Sequence, residues 1–199
     1  GEAFGAPYEL PNRESYNETC AAIANALWNH RMFLLHGDSK YVDVLERILY
    51  NGFLSGVSLK GDLFFYPNPL ASDGGYGRSP WFACACCPTN VVRFMPSIPG
   101  LVYAVDGSTL YVNLFVHGTA RVPIDSGAVT LRQETRYPWD GDVRLVLTPD
   151  GARRFVLKIR IPGWARGKPV PSDLYRYLDP TPSTCLLYTS DAAAEGLGV

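Results

Sequence analysis

The chain has 199 residues, 47% of them hydrophobic, with a formal net charge of -1 and a pI near 6.3. That is enough for one ordinary domain or two small ones with a real core, while the near-neutral balance and the lack of a Lys/Arg cluster argue against a nucleic-acid partner. No apolar run approaches the length of a membrane span and the opening residues lack a signal-peptide pattern, so no membrane partner is expected.

Gly1-Glu2-Ala3 carries no initiator methionine and reads as a cut made inside a longer protein. Residues 1–14 are irregular, broken by Pro7 and Pro11. From residue 15 to about 35, Ala21, Ile23, Ala24, Leu27, Trp28, Met32, Phe33 and Leu35 recur at helical spacing, and His36-Gly37-Asp38 ends the pattern. A second helix is expected from Asp38 or Ser39 to Asn51-Gly52, with Tyr41, Val42, Leu45, Ile48 and Leu49 on one stripe. The two form an antiparallel pair of the kind found in larger helical arrays. Residues 53–80 read as short extended pieces, and Gly74-Gly75-Tyr76-Gly77 as a mobile loop or a site rim. A third helix is expected from Thr89 to about Ser97, with Pro88 in its first turn.

From Leu101 the period changes to two. Residues 101–105 and 109–116 read as a hairpin around Asp106-Gly107, followed by strands at 120–122, 128–134, 143–147 and 154–161. Such spacing suggests an antiparallel sandwich. The domains expected are therefore 1–100, helical, and 101–168, all β. Residues 169–199 form an irregular tail whose end, from Cys185 on, resembles a translated sequencing adapter.

The cysteines carry the chemistry. Cys84, Cys86 and Cys87 lie within four residues, Cys20 stands far upstream beside Glu18, and Cys185 falls in the tail. Clustering of this kind points to metal or catalytic use more than to a disulfide framework. Two adjacent thiols with a carboxylate and a third thiol would make a four-ligand site suited to zinc. A helix N-terminus just after Cys86-Cys87 should favour the thiolate. Three other readings stay open: a vicinal disulfide, two buried thiols, and a structural zinc site serving a non-catalytic module whose sheets bind carbohydrate or a partner. A redox protein using Cys84 with Cys86-Cys87 is a further rival, and the lack of a Cys-x-x-Cys motif counts against it. Cys84 itself reads by default as a small buried residue, and Asp140 and Trp164 as turn and core residues.

Several motifs in one order resemble the β-L-arabinofuranosidase family, glycoside hydrolase family 127. They are Gly1-Glu2 with Glu9-Leu10-Pro11-Asn12, Asn17-Glu18-Thr19-Cys20-Ala21 and Cys84-Ala85-Cys86-Cys87-Pro88-Thr89-Asn90, then Tyr137-Pro138-Trp139-Asp140-Gly141 and Arg160-Ile161-Pro162-Gly163-Trp164-Ala165. The resemblance implies a mixed fold, α then β: the C-terminal part of an (α/α)6 barrel followed by an antiparallel β-sandwich. It implies Zn2+ held by Glu18, Cys20, Cys86 and Cys87, with Cys86 as nucleophile and Glu2 as acid/base of a retaining glycosidase. Glu46 and Tyr66 fall where the family places substrate contacts. The implied partner is an oligosaccharide or glycan bearing β-linked L-arabinofuranose, with a homodimer of the longer parent as a further option. Metal-bound thiolates favour a cytoplasmic location, with a periplasmic or secreted one left open by the missing start. A fragment lacking the earlier barrel helices is expected to be inactive by itself.

Overall fold

The structure is a computed structural model and describes residues 5–179. Its residues fall into two compact units, one running to Arg160 and the other beginning at Ile161.

The first unit opens on helix α1 (Thr19–His36), which is apolar on more than one side. The face carrying Thr19, Ile23, Ala26, Asn29 and Phe33 is buried, whereas Leu27, Trp28, Leu34 and Leu35 are exposed. Of the stripe expected from the sequence, only Ile23 and Phe33 are buried, because an all-round apolar helix does not declare its inner face by periodicity. Gly37 ends the helix in the left-handed region (φ 66°), where its N–H reaches the Phe33 carbonyl. Asp38 then caps α2 (Ser39–Ile48) by accepting from the Lys40 N–H at 3.0 Å. Beyond Ile48 the coil loosens into a π-turn (Leu49–Phe53) and tightens into a 3-10 turn (Leu54–Gly56). Helix α3 (Cys86–Phe94) starts three residues earlier than the sequence suggests, which puts both cysteines in its first turn. Pro88 sits in that turn too, where its missing N–H costs nothing.

A short helix α4 (Pro99–Val102) takes up Leu101 and Val102, expected as strand. Strands β1 (Tyr103–Asp106), β2 (Thr109–Val112), β3 (Gly118–Ile124), β4 (Gly127–Thr135), β5 (Val143–Pro149) and β6 (Val156–Ile159) follow. Strand β2 stops at Val112 because the Asn113 and Leu114 N–H groups both turn to the Val102 carbonyl. The strands form two three-stranded sheets, β1-β2-β6 and β3-β4-β5. Pairing is antiparallel except between β2 and β6, which run parallel. The antiparallel expectation fails there because the chain crosses the whole second sheet before returning, a connection long enough to deliver a parallel neighbour.

Two apolar clusters hold the unit. One gathers Ile23, Phe33, Val42, Leu45, Phe53 and Phe94 from the helices together with Leu114, and Tyr103 and Tyr111 of the strands pack against it. The other gathers Leu110, Val112, Val122, Ile124, Val129 and Leu131, with Leu145, Leu157 and Ile159 against it, so both sheets contribute. In the second unit, a 3-10 turn (Gly163–Arg166) closes on Gly167, and the Lys168 N–H returns to the Gly163 carbonyl at 2.9 Å. Trp164 of that turn is 43% exposed, so it is not the core residue expected. Asp140 is a turn residue as expected, accepting from the Asp142 N–H and pairing with Arg136.

Candidate metal centre

Residues two apart on a helix lie on nearly opposite sides, so Glu18 and Cys20 could share a ligand only if one left helical geometry. Glu18 does so. It is the residue before α1, with extended backbone (φ -56°, ψ 135°), and Asn17 before it takes a positive φ of 39°. Its carboxylate makes no capping bond and instead meets the two thiols of α3. Glu18 Oε1 lies 3.4 Å from Cys86 Sγ and 3.7 Å from Cys87 Sγ, and the two sulfurs are 3.8 Å apart. With Cys20 added, the four donor atoms all lie within 4.8 Å of one another. Helices α1 and α3 pack together, which brings residues 66 and more positions apart to one point.

This donor set fits a zinc ion. Zinc bonds of about 2.3 Å to sulfur and about 2.1 Å to oxygen, arranged as a tetrahedron, give donor separations of roughly 3.6–3.8 Å. The contacts among Glu18, Cys86 and Cys87 fall in or just below that range. A sulfur separation of 3.8 Å also excludes a vicinal disulfide, whose bond is about 2.0 Å, and the described cysteines are all free thiols.

Burial decides the state of the thiols without metal. Cys87 is fully buried, and removal from water pushes its thiol far up from the ordinary value. Cys86 moves the same way for the same reason, with a hydrogen bond to Tyr66 acting against the rise. Removal from water therefore acts against the thiolate that the start of α3 is expected to favour.

Tyr66 is held near this centre by edge-on contacts to two rings, Tyr16 at 6.1 Å and Phe82 at 5.5 Å between centroids. The glycine-rich loop after it is tied back through Tyr76, which stacks on Phe65 at 5.3 Å and donates to the Pro67 carbonyl at 2.8 Å. Cys84 is exposed and stands outside the four-residue group, contrary to the buried default. Glu2 and Cys185 lie outside the described residues.

Glu46 is not the solvated helix residue that its type suggests. It is 4% exposed and accepts from the Tyr137 hydroxyl at 3.0 Å and from the Arg160 guanidinium. Arg160 also donates to Asp43 at 2.7 Å and to the Asn113 carbonyl at 2.6 Å. Sequence reasoning missed Asp43, and took Tyr137 and Arg160 only as motif members. Two β-region motifs thus converge on one helical carboxylate, a link no local pattern announces.

Residues 1–100 match the profile of the β-L-arabinofuranosidase GH127 catalytic domain, and residues 109–172 that of the GH127 middle domain. A non-reducing end β-L-arabinofuranosidase of Bifidobacterium longum subsp. longum is 36% identical in an alignment of 185 positions that covers 84% of this chain and 27% of the relative. A solved GH127 β-arabinofuranosidase superposes with a TM-score of 0.87 at 60% identity, over 90% of this chain and 28% of its own. A GH127 β-L-arabinofuranosidase from Geobacillus stearothermophilus T6 gives 0.75 at 45% identity, over 80% of this chain and 27% of its own. The chain thus spans little more than a quarter of the length of these relatives. On the profile match and these likenesses, it belongs to glycoside hydrolase family 127, the β-L-arabinofuranosidase family.

Proposed function

We propose that this chain carries the metal centre and nucleophile of a retaining glycosidase that releases β-linked L-arabinofuranose from plant-derived glycans. In this reading its helices are the late helices of an (α/α)6 barrel and its sheets the first β-sandwich. The observation that carries the proposal is the convergence of Glu18, Cys20, Cys86 and Cys87, with the spacings among Glu18, Cys86 and Cys87 suited to zinc, in a chain of this family.

Zinc held by these four residues would keep Cys86 as a thiolate near neutral pH, replacing the proton that burial otherwise retains. Cys86 Sγ would attack the anomeric carbon and displace the glycan, forming a thioglycosyl bond. Glu2 would protonate the departing oxygen, then deprotonate the water that releases the sugar with its configuration retained. Tyr66, hydrogen-bonded to the Cys86 thiol, and Glu46 would contact the sugar. A cytoplasmic location and a homodimer of the full-length enzyme belong to the same proposal; the described residues contain no helix long and apolar enough to cross a membrane.

The test is a pair of variants in the full-length enzyme. Glu2→Gln should abolish hydrolysis of a β-L-arabinofuranoside and leave zinc content unchanged, whereas Cys86→Ser should lose activity and weaken zinc binding together. Hydrolysis surviving Glu2→Gln at the wild-type rate would remove Glu2 as the acid/base, and a folded wild-type enzyme that holds zinc but hydrolyses no β-L-arabinofuranoside would favour a structural zinc module instead.

A further inference from the structure

The residue between the two upstream ligands, Thr19, is fully buried and bonded twice to one segment. Its hydroxyl donates to the Phe65 carbonyl at 2.8 Å, and its N–H donates to the Tyr66 carbonyl at 3.3 Å. That N–H is one of the first-turn donors a helix cannot satisfy internally, and the Tyr66 carbonyl takes it. Behind Thr19 stands Gly56. A Cβ at Gly56 would come within 2.7 Å of the Thr19 hydroxyl oxygen and 2.8 Å of its methyl, while the Gly56 carbonyl accepts from the Phe65 N–H at 2.9 Å. Further bonds lace the same two stretches: the Asn68 N–H to the Tyr16 carbonyl at 2.8 Å, and the Ala71 N–H to the Asn12 carbonyl at 2.9 Å.

We propose that Thr19 is a positioning residue for the metal centre. Locked between Gly56 and the 65–66 backbone, it fixes the bend that turns Glu18 and Cys20 to one side and registers Tyr66 beside Cys86. This rests on the metal-binding reading above. Partners that orient ligands without touching the metal typically matter 10- to 100-fold in affinity.

The test uses the purified full chain, reduced and loaded with Co2+ in place of zinc. Absorption from thiolate-to-cobalt charge transfer counts the bound sulfurs, and the visible bands report tetrahedral geometry. Thr19→Ser, which keeps the hydroxyl, should bind Co2+ within a few-fold of the wild type with the same spectrum. Thr19→Val, of the same shape without the hydroxyl, should bind about 10- to 100-fold more weakly with reduced charge-transfer intensity. Gly56→Ala, which pushes Thr19 from behind, should do the same, and it decides the matter if circular dichroism shows Thr19→Val unfolded. A folded Thr19→Val or Gly56→Ala with wild-type affinity and spectrum would overturn the positioning role alone, as would Thr19→Ser weakened as much as Thr19→Val. A folded wild-type chain that takes up no Co2+ would overturn the metal reading itself, and the positioning role with it.

Discussion

Replacing Arg160 by Met gives the sharpest test of how the strands are joined to the helices. The Arg160 side chain is 2% exposed and sits against two carboxylates, Asp43 at 14% and Glu46 at 5%. Arg160→Met keeps much of the stem's packing but takes the guanidinium away from both carboxylates and the Asn113 carbonyl, leaving the Glu46 charge with the neutral Tyr137 hydroxyl. Removing one partner of a buried ion pair costs about 3–5 kcal/mol, mostly because the orphaned charge stays desolvated. Domains are stable by only about 5–15 kcal/mol, and in this size range each kcal/mol moves the melting point by about 2–4 °C. The variant should therefore melt about 6–20 °C below the parent, and urea unfolding should show the same loss. Glu46→Gln in the same background should recover about 1–2 kcal/mol relative to the sum of the single changes, since it removes one of the stranded charges. A loss under about 1 kcal/mol for Arg160→Met, or strict additivity in the double variant, would refute the view that a buried charge cluster ties the residue after β6 to α2.

Other consequences follow from the same packing. Phe53 is 1% exposed and meets Phe94 edge-on at 5.1 Å, so Phe53→Ala should destabilise the chain by about 3–5 kcal/mol in denaturant unfolding. Burial raises the Tyr137 hydroxyl far above the ordinary tyrosine value, with the Glu46 charge adding to it, and burial also raises Tyr50 and Tyr103. Because the folded state holds these protons more tightly, their contribution is complete below about pH 10 and is lost as pH rises through the folded values. Phenolate absorbance should then show a late group of tyrosines ionising together with alkaline unfolding, and Tyr137→Phe should shrink that group; tyrosines that all ionise freely near pH 10 in the folded chain would contradict it. Cys87→Ser, at a fully buried ligand, should cost more metal affinity than Cys84→Ser, an exposed thiol outside the cluster, as read by competition with a zinc chelator.

Much of this was legible in the residues, and what was not has physical causes. Gly37 and Asp38 marked the break between α1 and α2 because a left-handed cap and a side-chain acceptor are local needs that few residue types meet. Asp106-Gly107 marked the β1-β2 turn for the same reason, with Gly107 at φ 58°. The metal cluster could be suspected from Cys86-Cys87 but not assembled, since bringing Glu18 within 3.4 Å of Cys86 depends on two helices packing at long range. The inner face of α1 was misread because Leu27, Trp28 and Leu35 satisfy a helical period as well as Ile23 and Phe33 do. The parallel β2-β6 pair was invisible, since β6 looks the same in sequence whichever neighbour it joins. Thr19 and Arg160 were hidden more deeply: a threonine and an arginine are ordinary surface residues until burial and partners make them otherwise.

Elemental analysis of the purified, reduced chain, combined with titration of free thiols, tests the central claim most directly. The account predicts about one zinc per chain, with Cys20, Cys86 and Cys87 protected from the thiol reagent until a chelator is added and Cys84 reactive throughout. A chain shown to be folded by circular dichroism, free of metal after growth and purification with zinc, and with Cys20 and Cys86 as reactive as Cys84, would contradict it.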